Sequence, residues 1–234
     1  MTGPPDQPRR SPAPELLIED LGRISYDAAY LRQVAARDEV LAGRAEDGPL
    51  RLFLLEHDPP VVTVSRRPGA ASHVLASAEV LARAGIERRE TDRGGDVTYH
   101  GPGQVVAYAI LDLPRLGLRI HSHMRLLEQV VLDVISDFGL EGRRDPAATG
   151  VWVGPDRGAK IAAMGVRVGR GISMHGLALN VDPDLDHFGT IVPCGLAGRP
   201  VTSLARELGP RCPEIPRVKA ALAEAFRRRL AEPR

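Results

Sequence analysis

The sequence predicts an α+β domain, with a mixed, largely antiparallel sheet and flanking helices. Three observations carry that reading. Short apolar runs at 150–153, 159–168 and 172–181 follow one another across connections too short to hold a crossover helix, so they read as hairpin partners. Two longer stretches, 124–138 and 218–230, repeat apolar residues at the 3.6-residue period of a helix. Strands and helices do not alternate regularly, which argues against a doubly wound parallel sheet.

Composition sets the bounds. The 234 residues suit one large domain or two small ones. Hydrophobic residues make up 43% and aromatic residues only 4%, so a core has to be built mostly from Val, Leu, Ile and Ala. The 31 Lys and Arg against 30 Asp and Glu leave no footprint for nucleic acid or a membrane surface. No window approaches the roughly 18 apolar residues of a membrane span, and no apolar signal core opens the chain. Cys194 and Cys212 make a poor disulfide framework, so both are expected to be reduced thiols of a cytoplasmic protein.

Taken in order, residues 1–14 carry five prolines and no apolar period, and are expected to be a disordered lead-in to one domain spanning 15–234. A strand is expected at 16–20. Ser25 reads as the N-cap of a helix whose face is Tyr26, Tyr30, Val34 and Leu41, with Gly43 as its stop. Residues 50–57 and 61–65 read as buried strands divided by Pro59-Pro60. Arg66-Arg67-Pro68-Gly69 follows as a basic turn, then a short helix at 76–84 and strands at 86–91 and 104–111. Ser122 reads as the cap of the helix that ends at Gly139. After the three hairpin strands, Asp182-Pro183 stops the sheet and 184–188 forms one helical turn. A short helix at 202–208, a proline-rich linker and a basic amphipathic helix close the chain.

Between the strands at 86–91 and 104–111 lies Arg93-Gly94-Gly95-Asp96-Val97-Thr98-Tyr99-His100-Gly101-Pro102-Gly103-Gln104. It is longer than a hairpin needs. Glycine admits a ligand close to main-chain N–H groups, so the stretch reads as either the wall of a small-molecule site or an irregular surface loop. It is no phosphate loop, because no Gly-Lys-Ser/Thr and no helix follow it.

Other residues bear on that choice. A cysteine is ordinarily a buried small hydrophobe, but Pro193-Cys194-Gly195 follows an apolar run and sets its thiol at a turn, where a nucleophile belongs. Candidate bases are His100, His175, His187 and Lys160. Lysines usually snorkel to water, but Lys160 begins an otherwise apolar strand, and an amine held away from water becomes a proton acceptor. His175-Gly176 places a glycine inside a strand, a sign of close approach by a ligand. A metal site is not expected: no histidine pair has helical ligand spacing, and the two cysteines are far apart.

Four blocks now stand in order: Arg93 to Gln104, Lys160-Ile161-Ala162-Ala163-Met164-Gly165, His175-Gly176-Leu177-Ala178-Leu179-Asn180, and Pro193-Cys194-Gly195. Together they resemble the lipoyl(octanoyl) transferase family over roughly residues 16–208. One departure is Ser65, which follows His57 to Val64 where the family pattern has glycine. The resemblance implies a biotin/lipoate protein ligase-like fold and an octanoyltransferase with a Cys194/Lys160 dyad. Cys194 would accept the octanoyl group from octanoyl acyl carrier protein as a thioester, while Lys160 takes the thiol proton. The group would then pass to a lysine on a lipoyl domain of 2-oxoacid dehydrogenase subunits or on the glycine cleavage H protein. Thioester to amide is downhill, so no cofactor or metal is implied. The resemblance also implies a monomer, and a substrate pocket lined by Arg93, Gly94, Gly95, Asp96, Val97, Thr98, Tyr99, His100, Ala163, Met164, Gly165, Gly176, Leu177 and Ala178. Arg66 and Arg67 would steer acidic protein partners. Competing readings are an ATP-dependent lipoate or biotin ligase on the same fold, an inactive acyl-protein binder, and a cysteine hydrolase.

Overall fold

A computed structural model describes residues 14–155, 158–192 and 198–232. The expected N-terminal lead-in falls almost wholly outside them. The strands are β1 (Leu16–Ile24), β2 (Leu50–His57), β3 (Val61–Ser65), β4 (Glu87–Thr91), β5 (Val97–His100), β6 (Gln104–Ile110), β7 (Gly142–Asp145), β8 (Ala148–Val153), β9 (Ala159–Gly169) and β10 (Ile172–Asn180). The helices are α1 (Tyr26–Ala42), α2 (Ala78–Arg83), α3 (Ile120–Asp137), α4 (Leu204–Leu208) and α5 (Ile215–Ala231). Seven strands form one sheet in the order β1-β2-β6-β10-β9-β8-β7, and three form a second in the order β4-β3-β5. Among the described strand pairs, β1/β2 and β3/β4 are parallel and the rest are antiparallel.

Apolar patterning explains the layers. Every residue of β6 and β10 is buried, so both strands are covered on two faces and read as continuous apolar runs. The main core joins this sheet to α1, α3 and α5. A smaller core lies behind the three-stranded sheet, built on Val62, Val64, Leu81, Ile86, Val97 and Tyr99. Among the described residues, no helix is long and apolar enough to cross a membrane.

Most elements lie where the sequence put them, and the differences have physical causes. Ser25 caps α1, its hydroxyl accepting from the Ala28 N–H, but the buried stripe is Tyr26, Ala29, Gln33, Ala36 and Val40. Small residues let α1 sit close to the sheet, so the larger Tyr30, Val34 and Leu41 lie at the margin. α3 starts two residues before Ser122. That hydroxyl accepts from the Arg119 N–H and so closes a capping box from the third helical position. β1 runs four residues past its expected end, through a bulge between Asp20 and Gly22. β7 and β5 were not foreseen as strands: β7 is a short polar edge, and β5 is hidden inside the glycine-rich stretch.

Candidate active site

The glycine-rich stretch is the seam between the two sheets. β5 belongs to the small sheet, and Gly101–Pro102–Gly103 carries the chain across to β6 in the large one. Gly103 adopts φ 87°, and a Cβ there would meet the Asp182 carbonyl oxygen at 2.2 Å, so only glycine fits. Its own carbonyl accepts from the Val181 and Asp182 N–H groups, which ties the crossing to the end of β10. At the other end of the stretch, the Arg93 guanidinium donates to the carbonyl and hydroxyl of Thr63 in β3, and the Gly94 N–H donates to Val166 in β9. The unexpected Ser65 joins this frame: its hydroxyl donates to the Gly95 carbonyl at 2.9 Å and accepts from the Arg67 N–H.

A cavity lies between the sheets, with about 480 Å³ of atom-free space including its open part. Arg93, Gly95, Asp96, Thr98 and His100 line one side; Ala163, Met164, Gly165, Gly176, Leu177 and Ala178 line the other. The alternation of a strand sorts the rest. Thr98 and His100 face the cavity, whereas Val97 and Tyr99, expected in its wall, point the opposite way into the smaller core. Gly94 borders an adjoining groove together with Arg67, Ile120, Met124 and Lys160. Four lining residues were missed as such: Tyr26, Val106, Tyr108 and His175, the last considered only as a base. The signal for Val106 and Tyr108 was their two-residue spacing on one face of β6.

Lys160 is 6% exposed. Its N–H donates to the Pro200 carbonyl and its carbonyl accepts from the Thr202 N–H, both at 2.9 Å, so its backbone is pinned on the side away from β8. The amine lies 4.7 Å from the centre of the Trp152 ring, and the Arg199 guanidinium stacks on the same indole at 3.5 Å. Lys160 borders a small cavity with Phe188 and Val201 that shares Thr98, Ala163 and Ala178 with the main one. Cys194, with its neighbours Pro193 and Gly195, lies outside the described residues. Cys212 is half-buried, and burial pushes its thiol pKa up.

The motif amides hold the frame together. The Gln104 side chain donates to the Tyr99 carbonyl and to Asn180 Oδ1, and Asn180 Nδ2 donates to the Thr202 carbonyl. Two of the blocks are thereby stitched to Thr202, whose N–H donates in turn to the Lys160 carbonyl of a third.

At the end away from Lys160 the cavity is closed by rings. His57 Nδ1 donates to the Ile24 carbonyl, which leaves Nε2 to accept from the Tyr108 hydroxyl at 2.6 Å. Burial lowers the His57 pKa to about 4, and lowers those of His100 and His175 as well, so all three rings are neutral near pH 7. His175 Nε2 meets Asp92 at 2.8 Å. That bond, with the Tyr30 hydroxyl and Arg167, holds the Asp92 carboxyl well below the usual range. His175 itself takes a left-handed φ of 61°, with its N–H given to Gln33 Oε1. Helix α1 thus fixes the strained point of β10. His187 lies apart from these rings, its Nδ1 paired with the Tyr99 hydroxyl.

The chain is similar to known proteins. Residues 29–227 match the family model described as the lipoyl protein ligase A/B catalytic domain. An octanoyltransferase of Gloeobacter violaceus is 48% identical over 216 residues, covering 91% of this chain and 89% of that protein. An octanoyltransferase of Porphyromonas gingivalis is 43% identical over 92% of this chain, which spans only 44% of that relative's length. Among solved structures, lipoate-protein ligase A bound with ATP superposes with a TM-score of 0.67 at 20% identity, over 92% of this chain and 85% of that one. A structure described as a bipartite lipoate protein ligase and its E2 lipoyl domain from Thermoplasma acidophilum gives 0.67 at 21% identity, over 94% and 84%. At those identities the structures speak for the fold, which is that of the lipoate-protein ligases. By the family match and the close relatives, the chain belongs to the lipoyl protein ligase A/B catalytic-domain family, and within it to the octanoyltransferases.

Proposed function

We propose that this chain carries an octanoyl group from octanoyl acyl carrier protein to a lysine of a lipoyl domain, through a thioester on Cys194. The observation that supports this most is a buried lysine that borders a cavity walled by the residues of three sequence blocks. In the first step Lys160 takes the Cys194 thiol proton and the sulfur attacks the carrier thioester carbonyl. The carrier thiolate leaves and takes up that proton, so the amine is neutral again. In the second step the acceptor lysine attacks the new thioester, an amide forms, and Lys160 passes the amine proton to the departing Cys194 sulfur. Val192 is the last described residue before Cys194 in the sequence and donates to the His73 carbonyl at 2.7 Å; its neighbour Ile191 pairs with Val74.

The apolar chain would lie across Ala163 and Ala178, where each methylene removed from water contributes about 0.8 kcal/mol. Mass spectrometry after mixing the protein with octanoyl acyl carrier protein, without ATP, tests the proposal. The expected result is one octanoyl adduct on Cys194, discharged by added apo lipoyl domain. Absence of the adduct together with an ATP requirement would make the chain a ligase; discharge to water alone would make it a hydrolase.

A further inference from the structure

The cavity's closed end is built differently from its walls. Register on three strands defines two layers: Val106, Ala178 and Ala163 are neighbours in one, and Tyr108, Gly176 and Gly165 in the next. The layers are two residues apart, about 7 Å, and the second lies about 17 Å along β9 from Lys160. Two of its three members are glycines, so Tyr108 is the one side chain that this layer of the sheet sets in the way of a chain entering from the lysine end.

That ring is locked. Its hydroxyl is given to His57, and its edge meets the His175 ring at 6.0 Å and 88°. Tyr26 completes the floor from α1, 5.4 Å from the His57 ring, with its hydroxyl given to Thr91. Each named bond directs a polar tip to a protein partner, so carbon-rich ring surface is left for a ligand. A longer chain would have to move Tyr108 and strand its hydroxyl and His57 without partners in a buried place.

We propose that Tyr108, positioned by His57, is the specificity-determining residue that sets the longest acyl chain this protein accepts. The inference rests on the reading of the cavity as the acyl site. The experiment compares kcat/KM for acyl carrier protein loaded with octanoyl or dodecanoyl, with apo lipoyl domain as acceptor. Wild type should prefer octanoyl by at least about tenfold; equal rates would overturn the proposal. Tyr108→Ala, or Tyr108→Leu if the smaller residue prevents folding, should raise the dodecanoyl-to-octanoyl ratio by about tenfold or more. An unchanged ratio in a folded variant would also overturn it. Ala178→Leu, in the layer nearer Lys160, separates the two readings. If that variant loses octanoyl transfer while Tyr108→Ala leaves the ratio alone, the acyl site stands and the stop lies elsewhere. If Ala178→Leu leaves octanoyl transfer intact, the cavity is not the acyl site.

Discussion

Lys160 combines a pinned backbone with an amine over an indole ring, and each half predicts a different result of substitution. Lys160→Arg keeps the strand pairing, because its two backbone bonds do not involve the side chain. Guanidinium cannot surrender its proton at neutral pH. Transfer should therefore fall to background while the melting temperature stays within a few degrees of wild type, measured by octanoyl transfer and thermal denaturation on the same samples. Near-normal turnover would remove Lys160 from proton transfer. Ser65 is a second case. Restoring the family's glycine with Ser65→Gly removes the bond to the Gly95 carbonyl and the acceptor for the Arg67 N–H. It should cost about 1 kcal/mol of stability in urea titration.

Among the elements, the crossing from β5 to β6 carries the sharpest constraint. Gly103→Ala needs a positive φ for alanine and drives a methyl into the Asp182 carbonyl, a backbone atom that cannot rotate away. The expected cost is about 2–3 kcal/mol, with loss of transfer in whatever fraction stays folded. A change in urea midpoint below a few tenths would show that the seam is loose. Most elements were legible in the sequence because caps, periods and turn residues agreed: β2 and β3 coincide with their expected spans, and Gly139, with φ 79°, follows the end of α3 as a stop glycine does, whereas Gly43 keeps a helical conformation and leads into a tighter turn. β5 was not legible because four residues ringed by glycine carry no period long enough to read. The lining of the site was legible only in part. Motif residues announce themselves by type, but Tyr26 and Tyr108 look like ordinary core residues until register and packing bring them to one floor. Val97 and Tyr99, set in the wall by the family resemblance, turn to the smaller core because the stretch is a strand and alternates.

For the molecule as a whole, three buried neutral histidines set the response to acid. The unfolded chain takes up a proton at His57 near the ordinary pKa of 6.5, whereas the folded protein resists until about 4. Stability from this group is therefore complete above 6.5, declines as pH falls through that window, and is gone below about 4. His100 and His175 are shifted the same way and add to the slope. Urea midpoints measured down that range should fall steadily, and His57→Gln should flatten the fall. A midpoint constant between those limits would mean that the ring cluster opens to water before the protein unfolds.

β5 serves two interiors with four residues: its even positions border the cavity and its odd positions fill the small core behind. A guest pressed against the front of that strand therefore restrains the back. Octanoyl loading should slow amide hydrogen exchange in β3 and β4, which border neither the guest nor Lys160, more than in the similarly short β7. Equal slowing everywhere would mean that loading merely stabilises the whole protein. Selective slowing would mean that the small sheet breathes in step with the traffic through its neighbour.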